Sequence, residues 1–181
     1  MGNVVTQLFT EKFRPKELSS LIVPNRIKSE LSRGLVQNLL LYGPPGTGKT
    51  STLFILAKNH THLYINAREE ANIDMVRNKV SKFCSVISLE EGKEKLKCVI
   101  FDEFDGASNA FFDAIKVPIE KYANMARFIA STNYINKIPD GVLSRFNCIS
   151  YDPINEEEKE YLLSEYKKRI SLILNAIKIS Y

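Results

Sequence analysis

Short apolar runs alternate along this chain with stretches whose apolar residues recur at helical spacing. The runs at 38–42, 63–66, 98–102, 127–132 and 148–151 read as strands, and the stretches at 49–59, 74–85, 108–122 and 141–145 read as helices. That rhythm predicts an α/β fold on a parallel sheet. Pro118 falls inside the third helix and should kink or interrupt it. A short helix over 24–34, stopped by Gly34, precedes the first strand. After the last strand, Asn155 can cap a long helix that starts with Glu156, Glu157 and Glu158 and runs towards Ile177. Its acidic first turn and its later Lys167, Lys168 and Arg169 suit the helix dipole. Leu162, Leu163, Tyr166, Ile170, Ile173, Leu174 and Ile177 recur there at helical spacing and need a surface to pack on. Tyr181 ends the chain soon afterwards, so that surface is expected to lie outside it.

Composition narrows the class only modestly. A hydrophobic fraction of 44% and a charged fraction of 25% over 181 residues suit one globular α/β domain with a short appendage. No apolar run approaches a membrane span, and the first fifteen residues lack the apolar core of a signal peptide. Cys84, Cys98 and Cys148 are scattered, and with only His60 and His62 beside them no metal-ligand spacing arises. Reduced thiols in a cytoplasmic protein are the expectation. A net charge of +4 does not by itself call for a nucleic-acid partner.

The chemistry concentrates in four places. Gly43-Pro44-Pro45-Gly46-Thr47-Gly48-Lys49-Thr50 fits GxxxxGK[ST] in full, follows an apolar strand and opens a helix. Glycines there let successive N–H groups surround a phosphate, and the helix N-terminus adds a favourable dipole. Lys49 can reach the β- and γ-phosphates, and the Thr50 hydroxyl can ligate Mg²⁺. The strand at 98–102 ends in Asp102 and Glu103. Asp102 suits Mg²⁺ and Glu103 suits activation of a water; alone, the pair is equally a solvated acidic turn. The strand at 127–132 ends at Asn133, which in a parallel sheet should lie beside Asp102 and orient water, although a strand-end Asn is commonly a turn residue. Ser144-Arg145 precedes the last strand, and an exposed arginine there is either ordinary surface or a finger for a neighbour's γ-phosphate.

Taken together, these residues resemble the AAA+ ATPases and, more narrowly, the small ATPase subunits of DNA sliding-clamp loaders. Glu11-Lys12-Phe13-Arg14-Pro15, with Ile22 and Val23, resembles the box of replication-factor-C-type subunits that lines the adenine pocket. The stretch 72–80, containing Arg77 and Lys79, is similar to a loader helix facing template DNA. Residues 138–145 resemble the Ser-Arg-Cys finger motif, with Phe146 in place of its Cys. Asp102-Glu103-Phe104-Asp105 is similar in form to the T-even bacteriophage loader subunit. In the segment 113–122, only Lys116 remains of two adjacent basic residues common in that family, and Pro118 intrudes.

The resemblance implies a three-layer P-loop NTPase core over 1–152, its five-stranded parallel sheet ordered 5-1-4-3-2. Residues 153–181 are then the first helix of a lid that is otherwise missing, together with the collar, and no lid arginine is identified. It implies ATP and Mg²⁺ as cofactors. Gly43, Gly46, Thr47, Gly48, Lys49, Thr50 and Ser51 would bind phosphate, with Thr50 and Asp102 on the metal. Glu103, Lys49, Asn133 and Arg145 would be the catalytic set, the last acting in trans. Arg77 and Lys79 would meet DNA. The implied partners are other loader subunits in a hetero-oligomer such as a pentamer, a sliding clamp and primer–template DNA, with no membrane. The resemblance to the phage subunit further implies a bacteriophage-infected host cell. Another AAA+ ATPase, such as a helicase loader or Holliday-junction motor, and a non-hydrolysing assembly subunit remain alternatives.

Overall fold

A computed structural model of the chain describes residues 13–70, 73–86, 89–90, 93–94 and 96–178. Its elements, in order, are α1 (Asn25–Leu31), β1 (Leu39–Tyr42), α2 (Lys49–Ala57), β2 (His62–Asn66), α3 (Ile73–Ser85), β3 (Leu89–Glu90) and β4 (Lys93–Glu94). There follow β5 (Lys97–Asp102), α4 (Asn109–Lys121), β6 (Ala126–Thr132), α5 (Asp140–Leu143), β7 (Asn147–Ser150) and α6 (Glu156–Lys178). Five strands form one parallel sheet in the order β2-β5-β6-β1-β7, the order expected. The short antiparallel pair β3–β4 was not expected. Strands of two residues leave no periodic trace in a sequence.

The strands read as apolar runs because both sheet faces are covered. Alternate residues feed two separate cores. Leu40, Val99, Phe101, Phe128 and Ala130 face α3 and α4, meeting Val76, Val80, Phe111, Phe112 and Ile115. Leu39, Leu41, Cys98, Ile100 and Ile129 face the other way, onto Ile27 and Leu31 of α1 and Leu53, Leu56 and Ala57 of α2. This is a three-layer α/β/α arrangement. Aromatic contacts strengthen the first core: Phe101 stacks on Phe104 at 5.4 Å and on Phe128 at 6.2 Å and meets Phe111 edge to face at 5.6 Å, centroid to centroid.

Helix α4 starts where Ser108 Oγ accepts from the Phe111 N–H at 3.2 Å. It then runs through Pro118 without interruption, contrary to the sequence expectation. Proline removes one backbone bond near the helix end, and its ring is buried in compensation. Helix α6 starts as expected, with Asn155 Oδ1 accepting from the Glu158 N–H at 2.8 Å. Arg26 of α1 fastens that start to the sheet, donating to the carbonyls of Ser150 and Asp152 and pairing with Glu158 at 3.2 Å. Among the described residues, no helix is long and apolar enough to cross a membrane.

Strand order decides which loops meet. The chain leaves β1, crosses over β6 and β5 to form β2, and returns, so β6 lies between β1 and β5. The loops after β1, β5 and β6 therefore open at one end of the sheet, at a switch point where α/β folds bind ligands.

Candidate functional site

At that end, the residues after β1 curl into a loop with Gly43 at φ 142°, Gly46 at 78° and Gly48 at 91°. Gly43 also has no room for a side chain, since an added Cβ would lie 3.0 Å from the Tyr151 Cβ. Tyr151 is fixed by a 2.8 Å hydrogen bond from its hydroxyl to Thr52 Oγ1 on α2, so the close approach cannot relax cheaply. Gly48, left-handed, caps α2 and turns the loop into the helix. Lys49 lies back into the loop, its ammonium donating to the carbonyls of Gly43 at 2.8 Å and Pro44 at 2.7 Å. Burial lowers its pKa, and the nearby Asp105, Asp102 and Asp152 oppose that shift.

Asp102 ends β5 and is the hub of the acidic side. Its Oδ1 accepts from Thr50 Oγ1 at 3.1 Å, from the Glu103 N–H at 3.1 Å and from the Ser131 hydroxyl. Tyr64 approaches Oδ2 at 3.4 Å, and its own pKa is raised by burial and by that carboxylate. Thr50 hydroxyl and Asp102 carboxylate are hard oxygen donors already side by side, which fits Mg²⁺. No group of three or more His, Cys, Asp or Glu capable of holding a metal occurs among the described residues. Such a sparse donor set suits a cation that takes the rest of its shell from water and phosphate.

Glu103 follows, with φ 50°, the one non-glycine residue of positive φ among those described. Strain of this kind clusters at functional sites. The conformation leaves the carboxylate at the cavity edge, where Oε2 pairs with Arg68 Nε at 3.0 Å. Asp105 accepts from Thr132 Oγ1 and from the Asn133 N–H, both at 3.2 Å, and so holds the end of β6 against β5. Together Lys49, Thr50, Ser51, Asp102, Glu103 and Asn133 line one cavity of about 330 Å³.

A second cavity of about 310 Å³ adjoins the same loop at Gly46, Thr47, Gly48 and Ser51. Phe13, Arg14, Pro15 and Ile22 line it. Val23 does not: it is buried in the core below. Glu11 and Lys12 lie outside the described residues.

The remaining residues stand apart from this site. Arg145 precedes β7, so it lies at the opposite end of the parallel strands from the loop after β1. Its guanidinium donates to the Gly141 carbonyl and pairs with Glu120. Nearby, Asn38 Nδ2 donates to the Arg145 carbonyl at 3.1 Å, in a third cavity of about 480 Å³. Arg77 and Lys79 are exposed on α3, and Lys79 is paired with Glu70 at 3.0 Å. Sequence reasoning missed Ser131, Asp105, Tyr64, Arg68 and Arg169, the last a lining residue of the second cavity. Asp105 and Ser131 carried a faint signal, as polar residues at or just beyond the ends of apolar strands.

Several known proteins are similar to this chain. Replication factor C subunit 3 of Saccharomyces cerevisiae is 34% identical over 84% of this chain and 47% of its own length. The replication factor C small subunit of Methanocella arvoryzae is 34% identical over 82% of this chain and 49% of its own. The chain thus spans about half the length of the curated relatives it matches. In fold, it is similar to the Thermotoga maritima RuvB Holliday junction branch migration motor, with a TM-score of 0.63 at 20% identity over 91% of this chain and 56% of that one. The model of the ATPase family associated with various cellular activities matches residues 39–153, well over half of the sequence. With its phosphate loop, its Asp102–Glu103 pair and its strand order, the chain belongs to that AAA family.

Proposed function

We propose that this chain is an ATP-hydrolysing subunit of a DNA sliding-clamp loader. One observation carries the catalytic part: Lys49, Thr50, Asp102, Glu103 and Asn133, which follow or end three different strands, line a single cavity at the phosphate loop. The loader part rests on the similarity to replication factor C subunits over most of the chain.

In this reading the triphosphate lies along the loop N–H groups, and Lys49 exchanges its two carbonyl partners for β- and γ-phosphate oxygens. Thr50 and Asp102 hold Mg²⁺, which when bound neutralises charge on the phosphates. Glu103 accepts a proton from the attacking water, and Asn133 orients that water. The nucleoside occupies the second cavity, against residues 13–15 and Ile22. Arg145 of a neighbouring subunit completes the γ-phosphate site, so turnover belongs to the assembly, a hetero-oligomer such as a pentamer. ATP binding then assembles the subunits around a sliding clamp and primer–template DNA, and hydrolysis releases both. DNA contacts run through phosphates near Arg77 and Lys79 and carry no sequence preference.

The test is ATP turnover of the assembled complex with clamp, with primed DNA and with both. Clamp and primed DNA together should stimulate turnover beyond either alone. Stimulation by a helicase or by four-way junctions, with no response to clamp, would point to the other AAA+ readings. Complexes that bind ATP without turning it over would mark an assembly subunit.

A further inference from the structure

Helix α6 contributes one wall of the cavity beside the phosphate loop. Tyr166, Arg169 and Ile173 are three and four residues apart, which puts them on one helix face, and all three line the cavity. The opposite wall comes from the strap at 13–15. Arg169 spans the two: its Nη2 donates to the Phe13 carbonyl at 3.2 Å, joining residues 156 positions apart in the chain. Leu163, Ile170, Leu172 and Leu174 of the same helix are 52–64% exposed, whereas Tyr166, at the cavity rim, is 36% exposed. Arg169 therefore belongs to the helix side turned towards the loop.

This cavity and the one holding Asp102 and Glu103 meet at Gly46, Gly48 and Ser51. A nucleotide along the loop has its phosphates in the acidic cavity and its nucleoside in the other. Arg169 is then on the nucleoside side, away from the γ-phosphate. A planar guanidinium can hold the strap carbonyl with one edge and offer its other N–H groups to a ligand.

Resting on the proposed ATP site, we infer that Arg169 is a nucleotide-positioning residue that clasps α6 to the strap and retains the bound nucleoside. Holding two walls of a pocket in their bound arrangement raises affinity by lowering the ordering cost of binding. Because the clasp acts on the nucleoside, it contributes equally to ATP and ADP. Because it ties α6 in place, nucleotide occupancy and the position of α6 become linked.

The experiment tracks release of methylanthraniloyl-labelled ADP and ATP from the 181-residue chain by stopped-flow fluorescence, beside Arg169→Ala, Arg169→Lys and Lys49→Ala. Loss of one charge-assisted hydrogen bond should speed release of both nucleotides about ten-fold in Arg169→Ala, by the same factor for each. Arg169→Lys keeps the cation but not the planar fork, so it can hold the strap carbonyl or meet the ligand and should restore only part of the retention. Alanine is the best helix former, so the thermal transition of the nucleotide-free variant should stay near that of the parent. Unchanged release from Arg169→Ala, with the parent binding normally, overturns the inference and leaves the ATP site standing. Faster release of ATP with ADP unaffected overturns it too, because the residue would then act on the γ-phosphate. A parent chain that binds neither nucleotide removes the ATP site and this inference together.

Discussion

The Glu103 carboxylate is engaged by the Arg68 guanidinium, Oε2 to Nε at 3.0 Å, across the ends of two neighbouring strands. In the proposed reaction, a carboxylate oxygen that faces a guanidinium would be a weaker acceptor for the proton of a water. The pair is open to solvent, with the two side chains 60% and 44% exposed, so it contributes no more than about 1 kcal/mol. Arg68→Ala should therefore raise the basal, DNA-independent ATPase rate of the assembled complex, by roughly five-fold at most. Salt that screens the pair should raise the parent's basal rate and leave the variant's unchanged. A fall in the basal rate of Arg68→Ala would mean that Arg68 supports Glu103.

Glu103 itself is best tested with an amide. Glu103→Gln keeps the shape of the side chain at φ 50° but cannot accept the proton. Nucleotide affinity should stay within about two-fold, while turnover in the complex falls by roughly 10²–10⁴, the contribution expected of a general base. Equal turnover by the two proteins would remove Glu103 from the mechanism.

Lys49 shows function set against stability. Burying its ammonium disfavours the charged form, which is why its pKa falls below the usual 10.5. In the window between the lowered value and 10.5, the unfolded chain holds more protons than the folded one. The contribution of Lys49 to stability accordingly rises with pH through that window and is flat below it. Lys49→Met should leave the nucleotide-free protein at least as stable as the parent at neutral pH, by thermal unfolding. Calorimetry of the same variant should show ATP binding abolished or severely weakened. Unchanged ATP affinity would refute the assigned loop.

On the proposed DNA face, the two basic residues differ. Lys79 is already paired with Glu70, whereas Arg77 is exposed one helical turn from the start of α3. Charge reversal at Arg77 should weaken binding of primed DNA uniformly across sequences and flatten the slope of log affinity against log salt by about one. Reversal at Lys79 should do less. An unchanged slope for Arg77 would turn this helix away from DNA.

How far these residues could be read in advance depended on whether their role was local. Glycines at 43, 46 and 48 are dictated by backbone angles within a few residues, so the loop was legible as a string. The strands were legible because covering both faces makes residues such as Leu39, Leu40 and Leu41 all apolar. Ser131 and Asp105 meet Asp102 and Thr132 only because β6 is inserted beside β5. That insertion is a property of strand order, which no window of sequence contains. Arg169 is further still from local signals, since its place depends on how α6 leans over the loop. At Pro118 the local rule was outweighed by burial of the ring late in α4.

Arg145 cannot serve the site of its own chain, because it precedes β7 at the end of the sheet remote from the phosphate loop. Its guanidinium is parked on Glu120 and the Gly141 carbonyl. Its Nε is buried with no hydrogen-bond partner among the described residues, an arrangement that protein interiors generally avoid. Exchange of the Glu120 contact for a neighbour's γ-phosphate would put the guanidinium to use as a finger, and such fingers contribute on the order of 10³–10⁵ in rate. The isolated chain should then bind nucleotide and hydrolyse it very slowly. Mixing Arg145→Ala subunits with Glu103→Gln subunits provides the decisive measurement. Where the first supplies an intact Glu103 and the second an intact Arg145, one complete site forms and activity absent from either variant alone should return. Mixed assemblies that form and stay inactive would exclude a trans role for Arg145. An isolated chain that turns over ATP at the rate of the full complex would exclude a shared site altogether.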